Sequence, residues 1–386
     1  MAKIDDSVKK KVPELRFKGF TDEWEQRKLG DEVRIVMGQS PNSENYTDDP
    51  NDYILVQGNA DMKNGRVLPR VWTTQVTKQA EKDDLILSVR APVGDIGKTA
   101  YDVVIGRGVA AIKGNEFIFQ NLGKMKSDGY WTRYSTGSTF ESINSTDIKE
   151  AIISVPAIEE QDKIGSFFKQ LDNTIALHQR KLDLLKEQKK GYLQKMFPKN
   201  GAKVPELRFA GFADAWEERK LSDIADRFDN LRVPITASDR KPGDTPYYGA
   251  NGIQDYVEGF THNGEFILVA EDGANDLKNY PVQYVNGKVW VNNHAHVLQG
   301  KKTITDNKFL MNAIKNFNIE PFLVGGGRAK LNADVMMKLN ILLPTFVEQE
   351  KIGSLFSLLD KTIALHQRKL DLLKEQKKGY LQKMFV

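Results

Sequence analysis

Apolar residues recur in alternating steps of four and three near the end of each half of the chain. One run extends from Ile164 to Met196 and the other from Ile352 to Met384. A sustained heptad seam of this kind predicts a long α-helix that packs against another helix. The seam residues are Ile164, Phe168, Leu171, Ile175, His178, Leu182 and Leu185 in the first run, and Ile352, Phe356, Leu359, Ile363, His366, Leu370 and Leu373 in the second.

Prolines mark the limits of these runs. Pro156 and Pro344 precede them, and Pro198 follows the first. Each predicted helix therefore covers roughly 40 residues, or about 60 Å at a rise of about 1.5 Å per residue. The polar seam positions His178 and Lys189 weaken the apolar seam but can fix its register. The alternative is that each helix packs only on its own domain.

Two sequence repeats show that one unit is used twice. Thr174–Phe197 returns letter for letter as Thr362–Phe385, and Val12–Leu29 returns with few changes as Val204–Leu221. Each heptad helix is then the expected partner of its own copy. The repeats therefore predict an antiparallel intramolecular coiled coil within a pseudo-two-fold internal repeat.

The segments between the repeated ends share no convincing identity. Short β-branched or aromatic runs, such as YILVQG and DLILSV in the first and EFILVA and GKVWV in the second, alternate with turn residues and predict strands. The expected fold class is α+β, with two mixed strand-rich domains separated by two long helices. The predicted boundaries are 1–155 for the first domain, 156–198 for its helix, 199–343 for the second domain and 344–386 for its helix.

Composition narrows the class of protein. The chain has 40% apolar and 28% charged residues, which is typical of a globular protein, and no apolar stretch is long enough to predict a membrane span. The absence of cysteine excludes disulfides and thiolate sites and favours a cytoplasmic location. Each copy of the 24-residue repeat carries a net charge of +4, so the remainder of this +4 chain sums to −4. Positive charge is therefore concentrated on the predicted helices.

Short motifs give little sign of catalysis. Gly106–Ala111 matches a dinucleotide fingerprint, but a β-like run follows where that fingerprint requires a helix. Gly325–Arg328 lacks the lysine of a phosphate-binding loop. His262, His294 and His296 could ligate a metal, but no carboxylates follow them at ligand spacing. We therefore predict a non-enzyme with no catalytic residue, metal or cofactor of its own.

Polar and planar side chains near turns are the better candidates for binding. Arginine hydrogen-bonds guanine, asparagine and glutamine hydrogen-bond adenine, and serine, threonine and lysine contact phosphates. For any single residue, a solvated loop position is the alternative. The candidate DNA-binding residues are Gln39, Ser40, Asn59, Arg66, Arg70, Arg90, Arg107, Arg133, Tyr134, Ser135, Ser138 and Thr139 in the first middle segment, and Tyr247, Tyr248, Asn251, Asn279, Asn292, Asn293, His294, Arg328 and Lys330 in the second.

Nearly the whole chain resembles the specificity subunit of type I restriction–modification enzymes. The resemblance is carried by VPELRF with a following tryptophan and E-Q/E-R-K-L at the head of each unit. It is also carried by P-x-x-x-E-Q-x-K-I at the start of each helix and by EQKKGYLQKMF at its end. One departure is the YYGANG element, which the second middle segment has and the first lacks.

The resemblance implies a non-catalytic role in DNA recognition. In this family two target-recognition domains each recognise one half of a split, asymmetric DNA sequence, and the coiled coil sets the gap. Two methyltransferase subunits dock on the helices, hold S-adenosylmethionine and flip the target adenine out. Two translocase and nuclease subunits, which use ATP and Mg, join for cleavage. The alternatives are a self-sufficient methyltransferase or nuclease, and a coiled-coil scaffold with carbohydrate- or protein-binding heads.

Overall fold

A computed structural model describes residues 12–134, 142–199, 201–325 and 329–386, without the side chains of 133 and 134. Contacts divide the chain into two units. The first unit comprises the chain up to His178 together with Lys369–Val386, and the second comprises Gln179–Arg368. Each unit therefore contains the start of one long helix and the end of the other.

The first unit is a mixed α/β assembly of short elements. Short 3₁₀ turns lie at Ser43–Asn45, Asn59–Asp61 and Tyr130–Tyr134. Its strands and helices are β1 Glu25–Lys28, α1 Leu29–Glu32, β2 Arg34–Met37, β3 Tyr46–Thr47, β4 Tyr53–Val56, β5 Met62–Lys63, β6 Arg66–Val67, β7 Trp72–Thr73, β8 Gln79–Ala80, β9 Leu85–Ser88, β10 Ile96–Lys98, β11 Val103–Ile105, β12 Val109–Lys113, α2 Glu116–Ser127, α3 Ser145–Lys149 and β13 Ile152–Val155.

The second unit has longer strands, and the two long helices contribute to both units. Short 3₁₀ turns lie at Asp229–Leu231, Ala237–Asp239 and Glu320–Phe322. The remaining elements are the long helix α4 Ile158–Lys195, then β14 Glu217–Lys220, α5 Leu221–Ile224, β15 Ala225–Arg227, β16 Pro242–Gly249, β17 Gly252–Val257, β18 His262–Ala270, β19 Val282–Val291, β20 Ala295–Gly300, α6 Asn307–Asn316, α7 Ala333–Met336, β21 Asn340–Leu343 and the long helix α8 Phe346–Met384.

The long helices pair in opposite directions within each unit. In the first unit the rings of Phe167 and Tyr380 lie 5.1 Å apart, and Asp172 forms an ion pair with Lys377 at 2.6 Å. The partner number falls as the residue number rises, so the two segments are antiparallel. The second unit repeats the pairing with an ion pair between Lys189 and Asp360. Every predicted seam residue is buried or half-buried. The predicted α+β class with paired long helices is confirmed.

A frame that occurs in both units holds each long helix to the head repeat. Strand β1 pairs antiparallel with β13, and β14 pairs with β21 in the matching register. The amide of Leu15 donates to the carbonyl of Lys383 at 2.8 Å, and Leu207 donates to Lys195 at the same distance. The end of one long helix is thus hydrogen-bonded to a head repeat in the same way in both units.

Four aromatic rings form the centre of each frame. In the first unit Phe385 stacks on Phe117 with centroids 5.0 Å apart and contacts Trp24 at 6.2 Å. In the second unit Phe197 stacks on Phe309 at 5.6 Å and contacts Trp216 at 5.9 Å. All six side chains are buried. The fourth rings are Phe168 and Phe356.

The unlike middle segments share a sheet that their sequences do not reveal. The order β2-β12-β9-β10 in the first unit matches β15-β20-β18-β19 in the second, and all neighbours are antiparallel. In each unit a two-stranded hairpin, β5-β6 or β16-β17, extends this sheet, but the strand of the hairpin that pairs with the sheet differs. Its second strand, β6, lies parallel to β10 in the first unit, whereas its first strand, β16, lies parallel to β19 in the second.

The first unit carries an additional sheet with the order β3-β7-β4-β11-β8. An apolar cluster that includes Val56, Ile86, Ile105 and Val109 joins strands of this sheet to strands of the shared one. Burial on both faces explains why these strands are continuously apolar instead of alternating. The polar loops that leave this two-sheet core are consequently fixed at their bases.

Candidate functional site

A cleft of about 340 Å³ opens at one edge of the first unit. Its walls are largely polar, and both of its arginines are exposed. We call it the polar cleft, and the residues that line it are Ser40, Tyr46, Gln57, Gly58, Asn59, Ser88, Arg90, Ala91, Arg107 and Gly108. It brings together four of the predicted DNA-binding residues, namely Ser40, Asn59, Arg90 and Arg107. Gln39 precedes Ser40 and is exposed, and its carbonyl accepts from Thr77.

The backbone beneath Arg107 is closely packed. A Cβ atom on Gly108 would overlap the carbonyl oxygen of Gln57, so only glycine fits there. The amide of Arg107 donates to Ser40 Oγ at 3.2 Å. The carboxylate of the buried Asp61 accepts from the amide of Gln57 at 2.8 Å. The Gly106–Ala111 motif therefore serves close backbone packing and leaves the Arg107 side chain at the surface.

Arg90 is anchored in a similar way. It follows the buried end of β9, and its carbonyl accepts from Ser88 Oγ at 2.9 Å. Its backbone also forms an isolated antiparallel β-bridge with Ser142. The main chain of Arg90 is thus fixed, while its side chain is exposed. Because both arginine backbones are held, the cleft presents two guanidinium groups without ordering a loop first.

The other predicted residues of the first unit lie outside this cleft. Arg66 is exposed on β6, and Arg70 donates to the carbonyl of Ala60 at 2.7 Å. The backbone of Arg133 and Tyr134 lies in a 3₁₀ turn. Ser135, Ser138 and Thr139 lie outside the described residues. Tyr46 and Gln57, which the sequence did not single out, line the cleft, and only their proximity in the folded chain identifies them.

The second unit has a loop cluster that includes Asn251 of the YYGANG element, Asp272, His294 and Lys330. Asn251 donates to the carbonyl of Gly273 at 2.9 Å and accepts from the amide of Asn275 at 3.0 Å. His294 Nδ1 lies 2.6 Å from Asp272. The backbone of Asp272 in turn forms an isolated antiparallel β-bridge with that of Lys330. Asn251, His294 and Lys330 are thereby brought to one group of connected loops.

The remaining residues predicted in the second unit are placed differently. Tyr247 is 1% exposed and its hydroxyl bonds to the backbone of Ile235, so its ring lies in the core. Asn292 is buried and its side chain accepts from the amide of His294. Tyr248 is half-buried, whereas Asn279 and Asn293 are exposed. Arg328 lies outside the described residues.

The histidines of the second unit have structural partners. His296 Nδ1 lies 2.7 Å from Asp229, and its Nε2 lies 2.8 Å from the carbonyl oxygen of Leu331. Both ring nitrogens of His296 thus have a polar partner within hydrogen-bonding distance. His262 Nε2 lies 3.1 Å from the carbonyl of Phe228, and burial lowers the pKa of this histidine.

Asp229, Glu271 and His296 lie close enough to share a cation, but basic side chains already neutralise them. Arg232 lies 2.7 Å from Glu271, and Lys330 lies 3.0 Å from it. Burial acts to raise the pKa of Asp229, but the hydrogen bonds from His296 and the Val297 amide, together with the charges of His296 and Arg232, outweigh it, and the pKa is lowered. The cluster is an ion-pair network that ties the loops to the sheet.

A second type of surface lies on the long helices. Leucines at a spacing of seven are each more than half exposed. We call them the leucine stripe, which consists of Leu177 and Leu184 on α4 and Leu358, Leu365 and Leu372 on α8. They are distinct from the buried seam. No helix in the described part of the chain is long and apolar enough to span a membrane.

Both halves of the chain match one protein family. The model for the type I restriction modification DNA specificity domain matches residues 21–187 and again residues 213–375. A proposed type I restriction enzyme specificity subunit from Haemophilus influenzae is 46% identical over 136 residues, which is 35% of each chain. One from Methanocaldococcus jannaschii is 32% identical over 177 residues, 44% of this chain and 41% of the relative. The alignments thus span well under half of these relatives.

A solved structure shows the same fold over the whole chain. The S subunit of the type I restriction–modification system from M. genitalium superimposes with a TM-score of 0.74 and covers 97% of this chain and 99% of that one. The sequence identity is 16%, so this likeness concerns the fold. Since the family model matches most of the chain in two copies, the chain belongs to the type I restriction–modification DNA specificity family.

Proposed function

We propose that this chain is the DNA specificity subunit of a type I restriction–modification complex and recognises a bipartite, asymmetric DNA target. The observation that carries the proposal is a repeated frame that supports unlike polar loops. The polar cleft lies beside the common sheet of the first unit, and the loop cluster lies beside the common sheet of the second unit. We assign 1–155 and 199–343 as target-recognition domains, and 156–198 and 344–386 as their helices.

The chemistry of recognition follows from the side chains presented. The polar cleft offers guanidinium and amide groups, which match the hydrogen-bonding edges of bases in the major groove. Sequence-independent attraction to phosphates requires additional positive charge. The repeated helix segments, each with a net charge of +4, supply part of it. Two unlike recognition surfaces on a repeated frame give an asymmetric target, because half-sites mirror protein geometry.

Catalysis is proposed to belong to partner subunits. Two adenine methyltransferase subunits would carry S-adenosylmethionine, and two translocase and nuclease subunits would use ATP and Mg. The leucine stripe supports docking of partner helices, because exposed apolar residues at heptad spacing form the contact face of a helical bundle. Binding to chromosomal DNA would place the assembled complex in the cytoplasm.

The test is the methylation pattern of a host that expresses the chain with its methyltransferase subunits. We expect methylated adenines in a split sequence with a fixed gap. Exchange of residues 30–150 for the matching segment of a relative should change one half-site only. A change in both half-sites, or in neither, would contradict the proposal. Insertion of one heptad in each long helix should lengthen the gap and leave both half-sites intact.

The rival functions differ in what the isolated chain does. A self-sufficient methyltransferase or nuclease would transfer a methyl group from S-adenosylmethionine to DNA, or cut DNA, without a partner, whereas we expect the isolated chain to do neither. A scaffold with carbohydrate- or protein-binding heads would leave the methylated sequence unchanged after the exchange of residues 30–150. The same two experiments therefore separate all three functions.

A further inference from the structure

The two target-recognition domains present side chains from matching backbone positions. In the first unit the amide of Val89 donates to the carbonyl of Gly108 at 2.9 Å. In the second unit Glu271 donates to His294 at 2.8 Å. The strand pairs agree, because Ser88 and Val109 are partners in one sheet as Ala270 and Ala295 are in the other. These bonds set one register for both sheets.

A third segment confirms that register. The amide of Ile143 donates to the carbonyl of Val89 at 3.0 Å, and the amide of Leu331 donates to that of Glu271 at 2.7 Å. Isolated bridges follow at the adjacent positions, Arg90 with Ser142 and Asp272 with Lys330. Arg90 therefore corresponds to Asp272.

The same register matches Arg107 with Asn293. Each lies two residues before the strand that pairs with the buried strand, β12 in the first unit and β20 in the second. Both side chains are exposed. One backbone construction thus carries two arginines in the first unit, and an aspartate and an asparagine in the second. The frame is retained and the hydrogen-bonding groups are exchanged.

The two arginines are available to a ligand. The guanidinium groups of Arg90 and Arg107 form no hydrogen bond or ion pair with the described residues, whereas Arg70 donates to Ala60 and Arg27 contacts Glu25. Both line the polar cleft. A guanidinium on a fixed backbone can donate two parallel hydrogen bonds, which match O6 and N7 of guanine.

We propose that Arg90 and Arg107 determine specificity by recognising guanine in one half-site, and that the matched positions of the second domain select a different base. This inference rests on the proposed function. At the matched positions Asp272 is held by His294 and Asn293 is exposed. An asparagine pairs with N6 and N7 of adenine. The base that Asn293 contacts in the second half-site is consequently not required to be guanine.

The experiment measures the methylated sequence for Arg107→Ala, Arg107→Lys and Arg90→Ala in the full chain with its methyltransferase subunits. Arg34→Ala is the matched control, since Arg34 is an exposed arginine on β2 outside the cleft. We expect each alanine variant to lose about tenfold or more of its discrimination at one guanine of one half-site. The other half-site and the thermal midpoint should match those of the wild type.

The lysine variant separates base recognition from charge. A lysine keeps the positive charge but not the planar pair of donors. Arg107→Lys should therefore lose discrimination as Arg107→Ala does. Full retention of discrimination by the lysine variant, uniform weakening at every position, or relaxation at a position that is not guanine would each overturn the inference.

The outcomes also separate this inference from the proposed function. A split target in the wild type that is unchanged by every arginine variant would overturn the roles of Arg90 and Arg107 alone. Methylation that does not depend on the chain, or a target that is not split, would overturn the proposed function and this inference together. Relaxation at guanine by the cleft variants, with Arg34→Ala unchanged, supports both.

Discussion

Arg208 and Glu348 form a bidentate ion pair, with Nε–Oε1 at 2.7 Å and Nη2–Oε2 at 2.8 Å, that joins the second head repeat to the start of α8. The glutamate side chain is fully buried. Arg16 and Glu160 repeat the pair in the first unit with both contacts at 2.7 Å. This pair accounts for the glutamate in the P-x-x-x-E-Q motif that begins each long helix.

Removal of one partner should be costly because it leaves the other charge buried and unpaired. We expect Arg208→Ala to lower the free energy of unfolding by about 3–5 kcal/mol. Arg219→Ala is the control, since its ion pair with Glu217 is exposed and contributes about 0–1 kcal/mol. Denaturant unfolding measures both variants. Equal, small losses would show that the buried pair does not hold the frame together.

Glycines within the long helices offer a test of close packing. A Cβ atom on Gly353 would overlap Asp306 Oδ1 and lie 2.9 Å from the amide nitrogen of Phe309, where α6 approaches α8. Overpacking of this kind costs about 1–3 kcal/mol. We therefore expect Gly353→Ala to destabilise the protein, although alanine favours a helix by about 1 kcal/mol over glycine.

Gly379 on the same helix is the matched control for Gly353→Ala. A Cβ atom there meets nothing within 4 Å, so Gly379→Ala should stabilise by about 0.5–1 kcal/mol through helix propensity. Thermal unfolding of the two variants should shift in opposite directions. A stabilising shift for Gly353→Ala would mean that the approach of α6 does not require glycine at Gly353.

The leucine stripe should contribute to assembly and not to folding. Leu184 and Leu365 are each more than 60% exposed, so the double change to asparagine should leave the unfolding midpoint nearly unchanged. If a methyltransferase subunit buries both leucines in the complex, their loss weakens binding by about 2–4 kcal/mol. Retention of the methyltransferase on an affinity column should then fall at least tenfold. Ile158→Asn, at an exposed position on α4 outside the stripe, is the control. Unaltered retention of the double variant would place the docking surface elsewhere.

Acid should weaken the second unit through Asp229. Burial opposes ionisation, yet the hydrogen bonds from His296 and Val297 and the nearby charge of Arg232 together hold the pKa of Asp229 below its ordinary 3.8. A lowered carboxyl pKa contributes stability above the unfolded pKa, and this stability is lost as pH falls through the folded value. The loss therefore lies below about pH 4. Asp229→Asn should remove this part of the pH dependence in urea unfolding, whereas Asp239→Asn, at an exposed site, should retain it.

The helices and the repeated frame could be predicted from the sequence because they follow a period and occur twice. Ile164 and Ile352 begin seams that the structure buries. The sheet common to the two middle segments could not be predicted. Its register is carried by backbone hydrogen bonds, such as that from Val89 to Gly108, which place no demand on side-chain identity.

The binding residues were predicted by type, and the folded chain sorts them. Arg90 and Arg107 meet at one cleft although seventeen positions of sequence number separate them. Tyr247 was chosen from an aromatic pair near a turn, but the alternation of a strand turns its ring into the core. Tyr46 and Gln57 join the cleft through loops whose paths no local pattern specifies.

The hydrogen bond from Leu15 to Lys383 reproduces the one from Leu207 to Lys195. The joint between helix end and head repeat is therefore the same in both units, whichever unit comes first in the sequence. In the second unit residues 198–203 connect the helix end to the head repeat. The same short connection could join Phe385 to Val12, and the chain could then be opened between 198 and 203. A variant permuted in this way should keep both joints, because each depends on contacts that the two units share.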